Sequence, residues 1–116
     1  VLPSDSLSAT LTATVDSVVT LTLTVSNPSS VPVEVGFPSG QRYDFVVRSA
    51  ATGASVWRWS ADKLFAQALG HESIPAKGTI TYSQRWTPTA RGDFQVEGLL
   101  TSLSHRVSAS TGVTVP

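Results

Sequence analysis

The stretch LSATLTATVDSVVTLTLTV, Leu7 to Val25, decides the fold class. Its first half alternates strictly, with Leu7, Ala9, Leu11, Ala13 and Val15 on one face and Ser8, Thr10, Thr12 and Thr14 on the other. Its second half repeats the pattern with Val19, Leu21, Leu23 and Val25. A period of two matches the pleat of a strand, so each half reads as a strand with one dry face. A two-residue turn at Asp16-Ser17 would set Ala13 against Thr20, apolar against polar. A three-residue loop, Asp16-Ser17-Val18, sets Ala13 against Leu21 and Leu11 against Leu23. A one-residue slip exchanges the faces of a strand, so direct pairing favours the longer loop. The alternative is that the two strands lie in different sheets.

Outward from this pair the same signal recurs between turns. Asn27 to Ser30 is a turn cluster, and Val31, Val33, Val35 and Phe37 follow on one face. Pro32 cannot donate to a ladder, so that strand starts at an edge or just after it. Pro38 to Gln41 turns again, with Gly40 free to take positive φ. Tyr43, Phe45 and Val47 then face inward, and Arg42, Asp44, Val46 and Arg48 outward. After Ala51-Thr52-Gly53, a strand from Val56 to Ser60 sets Trp57 and Trp59 on one face and Val56 and Arg58 on the other. Pro75 to Gly78 is a break. Ile80, Tyr82, Gln84 and Trp86 share the next inward face, Phe94, Val96, Gly98 and Leu100 another. A last strand runs from about Arg106 to Val115. Eight or nine short strands, spaced by roughly 8–12 residues, predict an all-β antiparallel sandwich of immunoglobulin-like type. Length and short loops predict one domain over residues 1–116.

Residues 60–69 read two ways. Ser60 caps a short helix bearing Leu64, Phe65, Ala68 and Leu69, or Asp62-Lys63 is a turn into an extended segment; the turn is preferred.

Composition narrows the function classes. Charged residues make up only 14% of the chain and net charge is zero, with no basic stripe for nucleic acid or an anionic membrane surface. Cysteine is absent, which removes disulfides, thiolate chemistry and Cys-ligated zinc. No apolar run approaches the ~20 residues of a spanning helix. Low charge with abundant Ser and Thr fits an envelope or extracellular protein better than a cytosolic one. The chain opens VLPSDS and reads as a trimmed or mature form, with any upstream signal or anchor out of view.

No chemistry-bearing constellation stands out. His71 and His105 have no ligand partner at i,i+2 or i,i+4 and read as solvated loop residues. No serine sits in a G-x-S-x-G elbow. The chain therefore reads as a non-enzyme without metal or cofactor. Arg42, Asp44 and Arg58 form a candidate exposed patch, although a solvated polar face is the plainer reading. Trp57 and Trp59 are either a binding platform for sugar, peptide or protein or, more commonly, core packing.

Three further stretches carry a resemblance: Ser39-Gly40-Gln41-Arg42-Tyr43-Asp44-Phe45, Val56-Trp57-Arg58-Trp59-Ser60 and Phe65-Ala66-Gln67-Ala68-Leu69. In order and spacing they resemble the bacterial intracellular proteinase inhibitor family, BsuPI, whose type member is the Bacillus inhibitor of an intracellular subtilisin-like protease. Downstream, Pro75 to Gly78, Trp86 and Arg91-Gly92-Asp93-Phe94 look like the family's break, tryptophan and Gly-x-aromatic strand. Ala76-Lys77 intervenes between Pro and Gly, and Phe94 stands where Tyr is common. The likeness runs roughly from Ser17 to Leu103. It implies an immunoglobulin-like sandwich and a protein partner, a subtilisin-like serine protease; the type member is intracellular. It carries no reactive residue onto this chain.

Two functions follow. One is a proteinaceous protease inhibitor, with Ala61 to His71 as the working loop, Asp62, Lys63, Leu64, Phe65 and Gln67 as its contact residues, and Leu64 or Phe65 filling the primary pocket. With no disulfide, bracing of the loop rests on packing and hydrogen bonds. The other is a non-inhibitory immunoglobulin-like module that binds protein or supports an envelope assembly. In that case Phe37, Tyr43, Phe45, Trp57, Trp59 and Trp86 are mostly core.

Overall fold

Strand β1 (Ser8–Val15) pairs antiparallel with β2 (Val19–Ser26), with Ala13 opposite Leu21 and Leu11 opposite Leu23. The three-residue loop is therefore present, and the Asp16 N–H closes it on the Val18 carbonyl at 3.0 Å. The computed structural model describes residues 7–102 and 107–116. His105 and Arg106 lie outside the described residues.

Among the described residues the chain continues as β3 (Val33–Phe37), β4 (Tyr43–Ser49), β5 (Ser55–Arg58), a 3-10 turn (Trp59–Asp62), β6 (Gly70–Ile74), β7 (Thr79–Trp86), β8 (Gly92–Leu100) and β9 (Ser108–Val115). All pairings are antiparallel: β1-β2-β7 form one sheet, β5-β4-β8-β9 a second, and β3-β6 a separate ladder. β9 lies alongside β1, so the two larger sheets meet at that side.

The inward faces pack as the alternation predicts. Val19, Leu21, Leu23 and Val25 from one sheet meet Phe45, Val47, Val96 and Leu100 from the other, and Val33, Val35, Phe37 and Ile74 extend the core under β3 and β6. Gly98 is buried because there is no room beside it: a Cβ there would sit 3.3 Å from Leu11, Leu23 and Phe45. Aromatic pairs bridge the two sheets, Trp57 with Trp86 at 6.5 Å between ring centres and Tyr43 with Tyr82 at 4.4 Å.

One buried polar residue organises the end of β2. The Asn27 Nδ2 group donates to the carbonyls of Val31, Ile74 and Pro75 at 2.9–3.1 Å, and its Oδ1 accepts from the Ser29 N–H and Oγ–H. Two loops that sequence patterning treats as separate turns are thus clipped together. Lys77, in the left-handed region at φ 60°, donates from Nζ to the Pro28 carbonyl across the same junction.

Several expectations change. The strand starts just after Pro32, at Val33, as expected, but Val31, which the alternation sets on its inward face, is exposed, since proline leaves no ladder donor there. β6 carries weak alternation, GHESI, and pairs only with the short β3, so it escapes a pattern search. His71 consequently lies in a strand rather than a loop, exposed beside half-buried Glu72. Trp59 and Ser60 leave the β5 ladder, which ends at Arg58. Gly53 uses positive φ, as its turn requires, but Gly40 does not.

Candidate protein-binding loop

The segment from Trp59 to Gly70 is built on the edge of the four-stranded sheet, where β5 gives way to the 3-10 turn. A helical turn begins with unpaired N–H groups, and Arg58 at its start offers no side-chain cap. The cap comes instead from the neighbouring strand. Asp44 Oδ1 accepts the Ser60 N–H at 3.1 Å and its Oδ2 accepts the Ser60 hydroxyl at 2.6 Å. Arg58 Nη1 reaches the same Oδ2 at 3.2 Å, and the Phe45 N–H donates to Oδ1 at 2.9 Å.

Asp44 is therefore not part of an exposed patch: it is 4% exposed and has four donors. Its strand face points away from the core, as the alternation says, but the 3-10 turn folds over it. Val46, on the same face, is buried as well, flanked in register by Arg58 on β5 and Glu97 on β8. Arg58 remains exposed, while Arg42 is half-buried over the Phe37 ring, bonded to Glu72 at 3.1 Å and to the Ser39 carbonyl at 3.0 Å. Arg42, Asp44 and Arg58 do not form one surface patch.

A run of aromatic rings supports the loop from beneath. Phe65 lies 5.8 Å from Trp59, Trp59 stacks on Tyr43 at 4.6 Å, and Tyr43 stacks on Tyr82 across the sandwich. Gln84 Nε2 donates to the Tyr43 hydroxyl. Phe65 is thus half-buried against the scaffold. Burial, with the Glu72 carboxylate adding to it, pushes the Tyr82 phenol above its ordinary 10.0 although Arg42 pulls the other way.

The backbone is tied on both sides of Leu64-Phe65. The Lys63 N–H donates to the Ser60 carbonyl at 3.1 Å, and the Gly40 N–H donates to the Ala66 carbonyl at 2.9 Å. Gly40 is needed there for close approach, because a Cβ would lie 3.2 Å from the Ala66 nitrogen. Between these ties Leu64 is fully exposed, at 101%. Asp62 and Lys63 are exposed and paired to each other at 3.3 Å, with Lys63 Nζ 5.4 Å from the Trp59 ring centre. Gln67 is exposed, and so is Leu69 where the chain enters β6.

Of the two readings of residues 60–69, the turn into an extended segment is the one that forms, with the turn placed slightly earlier, at Trp59–Asp62, and no helix carries Leu64, Phe65, Ala68 and Leu69. One 3-10 turn ends at Asp62, and Lys63 is extended at φ −112°, ψ 151°. Ser60 sits at the start of the turn, but as donor to Asp44 rather than as the cap. The partners of Asp44 and Gly40 lie 16 and 26 residues along the chain, at Ser60 and Ala66, and only the motif stretches hinted that these segments belong together.

Among the described residues no three His, Cys, Asp or Glu side chains group as metal ligands. The segment is an apolar-tipped loop braced on an immunoglobulin-like β-sandwich. The family model described as Intracellular proteinase inhibitor, BsuPI, matches residues 7–105, and the chain belongs to that family. The family is one of inhibitors, which implies a protein partner that is a protease. No curated protein matches the chain.

Similar solved structures bear on the fold. The CARDB domain of the PF1109 protein of Pyrococcus furiosus, solved with di-metal ions, aligns with TM-score 0.53 and 17% identity over 96% of this chain and 88% of that one. A penta-heme cytochrome c552 of Thermochromatium tepidum aligns with TM-score 0.56 and 9% identity over 95% of this chain and 40% of that one. At such identities the likeness is one of fold. No helix among the described residues is long and apolar enough to cross a membrane.

Proposed function

We propose that this chain inhibits a subtilisin-like serine protease by presenting the loop from Ala61 to His71 to the enzyme. One observation carries the reading. The segment Leu64-Phe65 projects between two backbone ties, with Phe65 packed inward on Trp59 and Leu64 turned out to solvent. An inhibitory loop must be extended, accessible and already stiff, because each side chain ordered on binding subtracts about 0.5–1.5 kcal/mol from the affinity. Here stiffness comes from Asp44, Gly40 and the aromatic stack in place of a disulfide. A protease complex of ordinary size buries about 800 Å² on each partner, which requires residues flanking the loop, including Asp62, Lys63 and Gln67. Titrating the chain against subtilisin-type proteases tests the reading. Stoichiometric loss of activity at or below micromolar concentration supports it, whereas simple digestion of the chain sinks it.

A second reading, a non-inhibitory protein-binding module of immunoglobulin type, is favoured by a different fact. The aromatic residues Phe37, Tyr43, Phe45, Trp57, Trp59 and Trp86, most of them in the motif stretches, are buried or half-buried and build the scaffold. Under that reading the same titration shows no inhibition while the intact chain survives the protease.

A further inference from the structure

We infer that Leu64 is the specificity-determining residue of the loop, and that the partner is a protease whose primary pocket is deep and apolar rather than acidic. The inference rests on the inhibitory reading. Three adjacent side chains, Lys63, Leu64 and Phe65, compete for the pocket, and the structure separates them. Phe65 is committed to the Trp59 ring, so withdrawing it would open the brace that keeps the loop in place. Lys63 has its charge matched by Asp62 and lies over the Trp59 ring, so an acidic pocket would have to break both contacts. Leu64 is 101% exposed, and no intramolecular packing is lost when it enters a pocket.

The other prominent leucine is Leu69, at 81% exposure. It directly precedes Gly70, which is paired with Phe37 in the β3-β6 ladder and crowded by the Arg42 guanidinium. An enzyme that reads substrate as an extended strand needs free backbone on both sides of the pocket residue. Leu69 has β6 on one side; Leu64 has a short free span between the Lys63 and Ala66 ties. An exposed leucine filling an apolar pocket has the character of a hot spot, where truncation weakens binding by about 30-fold or more.

The test measures inhibition constants of the whole chain and of Leu64→Gly, Leu64→Lys and Leu69→Gly. Each is titrated against a subtilisin-type protease with an apolar primary pocket and a trypsin-type protease with a carboxylate at the pocket base. Thermal melts confirm that each variant is folded, as expected for positions so exposed. The expected result is inhibition of the first protease by the wild-type chain, weakened about 30-fold or more by Leu64→Gly and unchanged by Leu69→Gly. Leu64→Lys should shift inhibition towards the second protease. If the wild-type chain inhibits but both Leu64 variants match it, or if it prefers the trypsin-type enzyme, the assignment of Leu64 is overturned while the inhibitory reading stands. If it inhibits neither enzyme, whether it is cleaved or left intact, the inhibitory reading falls for both and takes this inference with it.

Discussion

The carboxylate of Asp44 on β4 grips Ser60 with both oxygens, Oδ2 at 2.6 Å from the hydroxyl and Oδ1 at 3.1 Å from the backbone nitrogen. One side chain thereby joins the middle of a sheet to the base of the projecting loop. The same carboxylate receives Arg58 and the Phe45 N–H.

Removing that carboxylate should destabilise the fold markedly. Asp44→Ala leaves the Ser60 N–H and Oγ–H without their acceptor, and a hydrogen bond to a charged group contributes about 1.5–3 kcal/mol. We expect a loss of about 2–3 kcal/mol in urea unfolding for Asp44→Ala, and about 1 kcal/mol for Ser60→Ala, which keeps the backbone bond. Arg58→Ala should matter least, because the guanidinium is substantially exposed and a screened surface pair is worth about 0–1 kcal/mol.

Bracing of the loop should be visible in its resistance to cleavage. Phe65→Ala and Trp59→Ala each remove one face of the contact that holds the loop to Tyr43. Every 1.4 kcal/mol of lost local stability raises the open population about tenfold. Mass spectrometry of chains exposed to dilute protease should show faster cutting between Lys63 and Ala66 in both variants, with the sites elsewhere unchanged. Equal cutting rates for wild type and variants would mean that the aromatic stack does not brace the loop.

Asn27→Asp should be far more damaging than its size suggests. The amide has two N–H groups shared among three carbonyls. A carboxylate in that place offers only oxygens to those carbonyls, so the bonds are lost and like partial charges face one another. We expect about 3 kcal/mol of destabilisation at neutral pH, partly relieved in acid as the introduced carboxyl is protonated. Denaturant midpoints at two pH values measure this.

The alkaline limit of stability should involve Tyr82. Its folded phenol holds the proton more tightly than the ordinary 10.0 of the unfolded chain. Below that range both states are protonated and the full stabilisation is present. As pH rises through it, the unfolded chain releases its proton first, and stability falls until the folded phenol also ionises. Tyr43→Phe leaves Tyr82 as the sole tyrosine, because the chain contains two. Its absorbance titration should then have a midpoint above 10, and Tyr82→Phe should flatten the alkaline loss. A midpoint at or below 10 would contradict the burial argument.

Gly98→Ala tests the tightness of the core. The new methyl would meet Leu11, Leu23 and Phe45 at 3.3 Å, and Leu23 and Phe45 are completely buried with nowhere to move. Overpacking outweighs the better strand propensity of alanine, for a net loss of about 1 kcal/mol. Unchanged stability in a thermal melt would show that the sheets can separate by a few tenths of an ångström.

What the sequence determined by itself is what the pleat makes local. Alternation from Leu7 to Val25 specified two strands and, through the cost of setting apolar against polar, the three-residue loop and the pairing of Ala13 with Leu21. The same periodicity located the inward faces of β4, β7 and β8, because a strand's two faces are separated by single residues wherever the chain is extended. The motif stretches were enough to identify the family. Tertiary structure alone decided the rest. Asp44 lies on an outward face, and no rule of period two could say that a turn 16 residues later would fold over it. β6 became a strand only by finding β3, since GHESI has little apolar pattern of its own. Leu64 and Phe65 are adjacent large apolar residues with no local signal to separate them. Their opposite fates depend on where Trp59 and Gly40 come to rest, and that is settled by contacts between distant segments.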